Sequence, residues 1–344
     1  MFFTTNCYKS PMKVIRLHKQ GSVDQADLQF EDIPIPEPKE NEIRIKVQTC
    51  SVCHTDLHII EGDLPLKKNP IIPGHEIIGV IDKIGKNITH HKPGDRVGVA
   101  WLNNACLKCK FCKQGLENLC PNAQFTGYDK DGGYAEYVIV PETFAYLVPD
   151  LFSSVEAAPL MCAGVIGYRS LKLSNIKRGQ TLGLFGFGAS AHIVIQIAKY
   201  WGCDVFVFTR SKNHQQHALE LGANWSGSTD DQPPHKIDAG ITFAPSGQLI
   251  IDALKILEKG GTLAINAIHL SDIPPIKWNY LWYEKQIRSI ANVTRQDAVE
   301  FLELAGKIPI KTTVTTYSFN DVRKALKDMK ESKINGAPVL KLTY

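Results

Sequence analysis

"TLGLFGFGASAHIVIQIAKYWGCDVFVFTR", residues 181–210, reads as an apolar strand, a glycine turn, a helix of helical apolar period and a second apolar strand. Outward from this unit the alternation continues. "SKNHQQHALELGA" (211–223) is a helix closing at a glycine. "DAGITFA" (238–244) and "GTLAINAI" (261–268) are strands, with a helix over "GQLIIDALKILEKG" (247–260) between them. Strands alternating with helices predict a parallel sheet, so the class is α/β. Upstream the texture differs. "MKVIRL" (12–17), "NEIRIKVQTC" (41–50), "IIGVIDKIG" (77–85), "RVGVAW" (96–101) and "GYAEYVIV" (133–140) are short strands cut by Gly, Pro and Asn turns. Near the end, "DAVEFLELAGK" (297–307) and "NDVRKALKDMKE" (320–331) read as helices and "PVLKLTY" (338–344) as a closing strand. The division that follows is a β-rich domain from 12–163 and 293–344, and a dinucleotide-type domain from 164–292.

The turn in the opening stretch is Gly186, Gly188 and Ala191 in a G-x-G-x-x-A pattern. Between a strand and a helix this is the fingerprint for a dinucleotide. One glycine makes the tight turn, the second lets backbone reach pyrophosphate, and the helix N-terminus favours its charge. An NAD site places an acid about 20 residues on, against the ribose 2′-hydroxyl. Here the second strand ends in Thr209, Arg210 and Ser211, without a carboxylate. Arg210 can bond a 2′-phosphate, which favours NADP(H) over NAD(H). The plainer reading of Arg210 is a solvated charge at a strand end.

The chain has 344 residues, 44% hydrophobic and 22% charged, with a net charge of +4. That balance is ordinary for a globular protein and gives no reason to expect nucleic acid or a membrane surface. The first residues carry no apolar core or cleavage site of a signal peptide, so the expectation is cytoplasmic. Met12 is a candidate start, with residues 1–11 a loose extension. Nine cysteines, an odd count, argue against a disulfide framework and toward metal or catalysis. Four of them, Cys106, Cys109, Cys112 and Cys120, follow C-x2-C-x2-C-x7-C. Four thiolates suit a closed tetrahedral zinc at about 2.3 Å, which props a loop and leaves no position for chemistry. An iron–sulfur cluster and free thiols are the rival readings. Catalytic candidates lie elsewhere: Cys53 in "CSVCHTDLH", His75 and Glu76 in "PGHEIIG", and Cys162 in "PLMCAG". Two Cys and one His with an open position form a catalytic zinc set. Taken singly, Cys162 reads as a small buried apolar residue, and Glu76 as a carboxylate paired elsewhere.

"GHE", the four-cysteine lobe and the glycine-rich strand-turn-helix together resemble the zinc-containing, medium-chain alcohol dehydrogenases, from about Met12 to Tyr344. The run 182–210 looks like the AdhA-type, propanol-preferring bacterial branch. The resemblance implies a GroES-like catalytic domain beside a Rossmann domain. It implies Cys53, His75 and Cys162 on a catalytic zinc with Glu76 behind it, and a structural zinc in the lobe, two per chain. It assigns Thr55 and His58 to a proton relay, Asp56 to orienting His75, and His54 to the pyrophosphate. Backbone at Ala267 and Ile268 would hold the carboxamide, and Ile60 and Trp101 would wall the substrate. Each has a plainer reading: caps and surface groups for Thr55 and His58, a helix-start charge for Asp56, core for Trp101. Ile166 and Ala337 depart from many relatives, which place a Thr and a basic residue there. The implied reaction is reversible hydride transfer between a primary or simple secondary alcohol and NAD(P)+. An NADPH-dependent aldehyde reductase of the cinnamyl-alcohol type, and a non-catalytic zinc-stabilised scaffold or redox sensor, are the alternatives. The implied assembly is a homodimer or homotetramer, with "GTLAINAI" a candidate for edge pairing across a two-fold.

Overall fold

The computed structural model describes residues 11–308 and 310–342. The extension therefore lies outside the described residues except for Pro11, which opens β1 (Pro11–Lys19). β1 pairs antiparallel with β2 (Asp27–Pro34), a strand the sequence reading passed over because only Leu28 of it is buried and it has no clean alternation. The main sheet of this half is formed by β3 (Glu42–Ser51), β4 (Glu76–Ile84), β5 (Arg96–Val99), β8 (Tyr137–Pro141), β9 (Ala145–Leu147), β16 (Val314–Ser318) and β17 (Ala337–Lys341). β6 (Leu102–Asn104) and β7 (Gln124–Phe125) bracket the cysteine lobe. β3 alternates buried Ile43, Ile45 and Val47 with partly exposed Arg44 and Lys46, the period-2 pattern of a sheet with one face in the core.

The second sheet is parallel throughout: β10 (Thr181–Phe185), β11 (Asp204–Phe208), β12 (Trp225–Gly227), β13 (Ile237–Thr242), β14 (Leu257–Ile265) and β15 (Gln286–Ser289). Their spatial order is β12-β11-β10-β13-β14-β15, the doubly wound order that reverses between β10 and β13. Both faces are covered. α4 (Ala163–Ser174), α5 (Ala189–Tyr200) and α9 (Arg295–Ala305) share one apolar core with Leu182, Leu184 and Val205. Phe185, Phe206 and Phe208 pack on the other face with Ile250 and Leu254 of α7 (Gly247–Ile256). Strands buried on both faces read as continuous apolar runs, which is why "TLGLF" and "DVFVF" carry no alternation.

Two expectations need correction. The helix over 247–260 ends at Ile256; Leu257 is already extended (φ −69°, ψ 136°) and begins β14. Gly260 takes φ 71° inside β14, where the pairing with β13 shifts register between Leu257 and Thr262. "GTLAINAI" is not an edge: β15 lies outside it, in register from Thr262–Gln286 to Ile265–Ser289. Four residues of mixed polarity left β15 unread.

Candidate active site

Both distant cysteines sit where a helix begins. Cys53 is the N-cap of α1 (His54–Glu61), and Cys162 that of α4. Unpaired N–H groups at a helix start favour negative sulfur. The Sγ atoms lie 3.9 Å apart, although 109 positions separate the residues. His75 comes from the turn into β4. Gly74 before it has φ 92°, and a Cβ there would lie 2.5 Å from the Tyr134 ring and 2.8 Å from Cys50 Sγ. Only glycine fits, and that turn aims the imidazole inward. One donor atom each from Cys53, His75, Glu76 and Cys162 lies within 4.8 Å of the others.

His75 and Glu76 are buried, Cys53 and Cys162 are half-buried on the cleft, and the set is biased toward holding a cation. His75 is fully buried; its Nδ1 meets Asp56 Oδ1 at 3.1 Å, and its Nε2 has no partner. Burial pulls the His75 pKa down, but the Asp56 charge and hydrogen bond outweigh it and hold it well above the usual value. The Cys53 thiol is pushed well below its usual range, first by the hydrogen bond from Cys162, against the cost of burial. Cys162 moves well above, for the same bond and for burial. One sulfur of the pair thus carries the charge. Burial, then the Cys53 charge, drives Glu76 up, and its Oε2 is also unpartnered. Two thiols, an imidazole with a free Nε2 and a carboxylate in reach fit a four-coordinate zinc with one exchangeable position.

Asp56 is completely buried. Beside His75, its Oδ2 accepts the Cys53 N–H at 2.8 Å and the Tyr134 hydroxyl at 3.3 Å. One carboxylate therefore orients two members of the cluster. Thr55 Oγ1 lies 3.8 Å from Cys53 Sγ. His58, one turn on, bonds Asp63 (Nδ1 to Oδ2, 2.8 Å) nearer the surface and faces the His269 ring at 5.9 Å. Trp101 packs edge-on against His75 at 4.9 Å and stacks on Phe125 and Tyr128. Ile60 is not where the reading put it: it is wholly buried in the core of the β-rich half, because α1 turns Leu57, Ile59 and Ile60 to that core.

In the lobe, the sulfurs of Cys106, Cys109, Cys112 and Cys120 also lie within 4.8 Å of one another. Leu107 takes φ 54° to turn the chain between the first two. The N–H groups of Cys106 and Asn122 both point at Cys120 Sγ, at 3.4 Å. Backbone N–H groups of Lys108 and Cys109 bring Cys106 down to about 6, while burial and then neighbouring thiols push Cys112 up to about 12. No other group of three or more such ligands comes together among the described residues.

A cleft of about 330 Å³ joins the two halves, lined by Cys53, His54, Glu76 and Cys162 on one side and the turn 186–190 on the other. Gly186 has φ 92°, and a Cβ on Gly188 would meet nothing within 4 Å, so the turn's backbone is open to the cleft. Ala191 is fully buried against the sheet. Asn266 at the end of β14 lines the cleft, whereas Ala267 is half-buried and Ile268 is exposed.

Residues 39–150 match the alcohol dehydrogenase GroES-like domain, and 191–307 match the zinc-binding dehydrogenase domain. A probable alcohol dehydrogenase AdhA of Mycobacterium tuberculosis is 43% identical over 335 residues, 96% of this chain and 97% of that protein. The chain belongs to the zinc-containing, medium-chain alcohol dehydrogenase family. Cinnamyl alcohol dehydrogenase 3 of Arabidopsis thaliana is 32% identical, over 86% of this chain and 83% of its own. In fold, this dehydrogenase is similar to the cinnamyl alcohol dehydrogenase of Helicobacter pylori complexed with NADP(H): TM-score 0.87, 24% identity, 96% and 98% of the chains covered. No helix among its described residues is long and apolar enough to cross a membrane. The sequence reading missed Tyr134, Asp63, His269, His192 and His214. "HTDLHIIEGD" contained the signal for Asp63, an acid five residues after His58; the others are tertiary neighbours with no local mark.

Proposed function

We propose that this enzyme interconverts a primary or simple secondary alcohol with its aldehyde or ketone, using NADP(H) in preference to NAD(H) and two zinc ions per chain. The observation that carries the reading is the convergence of half-buried Cys53 and Cys162 with the unpartnered, buried Nε2 of His75 beside the glycine turn. Cys53, His75 and Cys162 would hold the catalytic zinc with Glu76 in reach; Cys106, Cys109, Cys112 and Cys120 would hold the structural one. When bound, the zinc supplies a Lewis acid for the substrate oxygen and the nicotinamide ring accepts or returns hydride. The chain's own groups do the rest. Asp56 keeps the proton on His75 Nδ1, so Nε2 presents a lone pair. Thr55 Oγ1 takes the hydroxyl proton, and the His58–Asp63 pair, partly open to water, delivers it to solvent. Trp101 closes one wall. The open backbone at Gly186 and Gly188, the α5 N-terminus and His54 hold pyrophosphate. Backbone at Ala267 and Ile268 meets the carboxamide, and Thr209, Arg210 and Ser211 meet the ribose.

Sheet membership supports the division into 12–163 with 293–344 and 164–292: apart from the β6–β7 pair, strands from 42–147 and 314–341 share one sheet, and 181–289 share the other. A homodimer or homotetramer in the cytoplasm completes the proposal. Arg210 and the likeness to cinnamyl alcohol dehydrogenase 3 favour one second reading, reduction of aldehydes with NADPH. The test is elemental analysis with steady-state assays of NADP+ against NAD+ over alcohols and aldehydes. Active protein carries two zinc ions per chain, and Cys162→Ala loses one zinc together with activity. A single ion, held by the lobe in fully active protein, refutes the reading and leaves the scaffold alternative standing.

A further inference from the structure

Recognition of the adenosine ribose was expected at Thr209, Arg210 and Ser211. The lining of the cleft omits those three residues but includes His214, in the first turn of α6 (Lys212–Glu220), and His192 of α5. In a doubly wound fold the ribose lies beside the end of the second strand. That strand, β11, ends at Phe208, and α6 is capped by Ser211, whose Oγ accepts the His214 N–H. His214 thus stands one turn into the helix that faces the ribose position.

It does not stand alone. The His192 and His217 rings meet at 4.8 Å, nearly perpendicular, and His192 and His214 at 6.3 Å. Phe187 of the glycine turn covers His192 at 4.6 Å. His192 is 3% exposed and neither ring nitrogen has a partner; His217 Nε2 is buried and unpartnered too. Three imidazoles with so few hydrogen bonds are a poor way to fill a core, since buried polar groups are normally satisfied. Burial, then His217, hold His214 below its ordinary value; burial, His217 and His214 bring His192 down to about 4. The other charged groups around the cluster are Arg210 ahead of the helix, and Lys212 and Glu220 on it. Glu220 lies 3.4 Å from His217 Nδ1, and Lys212 bonds Gln215.

We propose that His214, backed by His192 and His217, reads a 2′-phosphate on the dinucleotide, so that affinity for NADP(H) rises as pH falls while affinity for NAD(H) stays nearly level. This rests on the dinucleotide reading above. Burial holds the His192 and His214 rings toward their neutral form. A phosphate dianion beside them favours the imidazolium, so binding takes up a proton, and linkage then allows up to about tenfold in affinity per pH unit per proton. A 2′-hydroxyl brings no charge and no uptake. Arg210, charged at every working pH, adds affinity without a slope.

The experiment is titration of the full-length protein with NADPH and with NADH by nicotinamide fluorescence, from about pH 8.5 to about pH 6, across the histidine range. Calorimetry of NADPH binding in two buffers of different ionisation enthalpy counts the protons. NADPH affinity should rise several-fold per pH unit over part of that range, with NADH changing by less than about twofold. His214→Gln should abolish the excess slope and the uptake, which separates the protein's titration from that of the phosphate itself. Arg210→Ala should weaken NADPH at every pH and keep the slope. Should His214→Gln fold poorly, His217→Gln must still move the rise to higher pH. An unchanged slope and uptake in His214→Gln, or none in the wild type, overturns the assignment. Binding of neither dinucleotide would instead overturn the cofactor reading beneath it.

Discussion

Replacing Asp56 by Asn tests the metal centre at the atom on which its geometry turns. The side chain keeps its size, and an amide oxygen can still accept the Cys53 N–H. What is lost is the negative charge 3.1 Å from His75 Nδ1, inside a site where Asp56 and His75 are both wholly buried. Outer partners of this kind contribute about 10- to 100-fold in metal affinity, or about 1.4 to 2.8 kcal/mol. Full burial places Asp56→Asn toward the upper part of that range, because little water screens the pair. An amide can also present its NH2 to Nδ1, which forces the ring proton toward Nε2 and sets it against the ion. The assay is chelator competition followed by metal analysis, with the zinc proposed for the lobe as internal reference. Asp56→Asn should surrender one of two ions at a chelator concentration where the wild type keeps both, and the lobe should hold in each. Tyr134→Phe, which removes only the 3.3 Å hydroxyl contact, should lose far less. Equal retention by Asp56→Asn and the wild type would refute the claim that this carboxylate sets the ligand's basicity.

Two further outcomes follow from the geometry. Cys112→Ser should lose the lobe ion alone, lowering Tm while the catalytic ion is kept, since Cys112 Sγ sits 3.5 Å and 4.0 Å from Cys109 and Cys106 in a ligand group that shares no member with Cys53, His75, Glu76 and Cys162; a differential scan with metal analysis reads both. Asp297, 1% exposed, accepts from Arg169 and Lys172 of α4 and caps α9 through Thr294. Burial alone would raise its pKa, but the Thr294 N–H, Lys172 and Arg169 win and hold it below the ordinary carboxylate value. Its stabilisation is therefore present above that value and is lost as pH falls through the lower folded one. Asp297→Ala, which strands Arg169, should cost about 3 to 5 kcal/mol at neutral pH, measured by denaturant unfolding, and the gap to wild type should narrow in acid. A gap independent of pH would show that packing, and not charge, joins α4 to α9.

His58 and Asp63 illustrate how much a short stretch can say. Within one helical turn and the loop after it, sequence distance is spatial distance, so "HTDLH" places Thr55 and His58 three apart on one side of α1. The same holds for Cys106, Cys109 and Cys112, three positions apart in a run of tight turns, and for the glycine turn between β10 and α5. Ile60 shows the converse. Cys53 and His54 at the start of α1 line the cleft, but Leu57, Ile59 and Ile60 turn away from it, and which face of α1 is dry depends on the core of the β-rich half that packs there. β14 makes the same point at the scale of a sheet: only the later arrival of β15 decides that it is interior.

Chain order alone thus determined the parallel sheet, through the alternation of strand and helix patterns, and the nucleotide turn and the thiol lobe, through contacts a few residues long. Tertiary packing decided that Cys53, His75 and Cys162 share a point, that Asp56 serves two of them, and that three histidines from α5 and α6 crowd one corner of the cleft. Such contacts are made by the burial of apolar faces elsewhere in the molecule, and burial of one face leaves no signature in the residues it brings together on another.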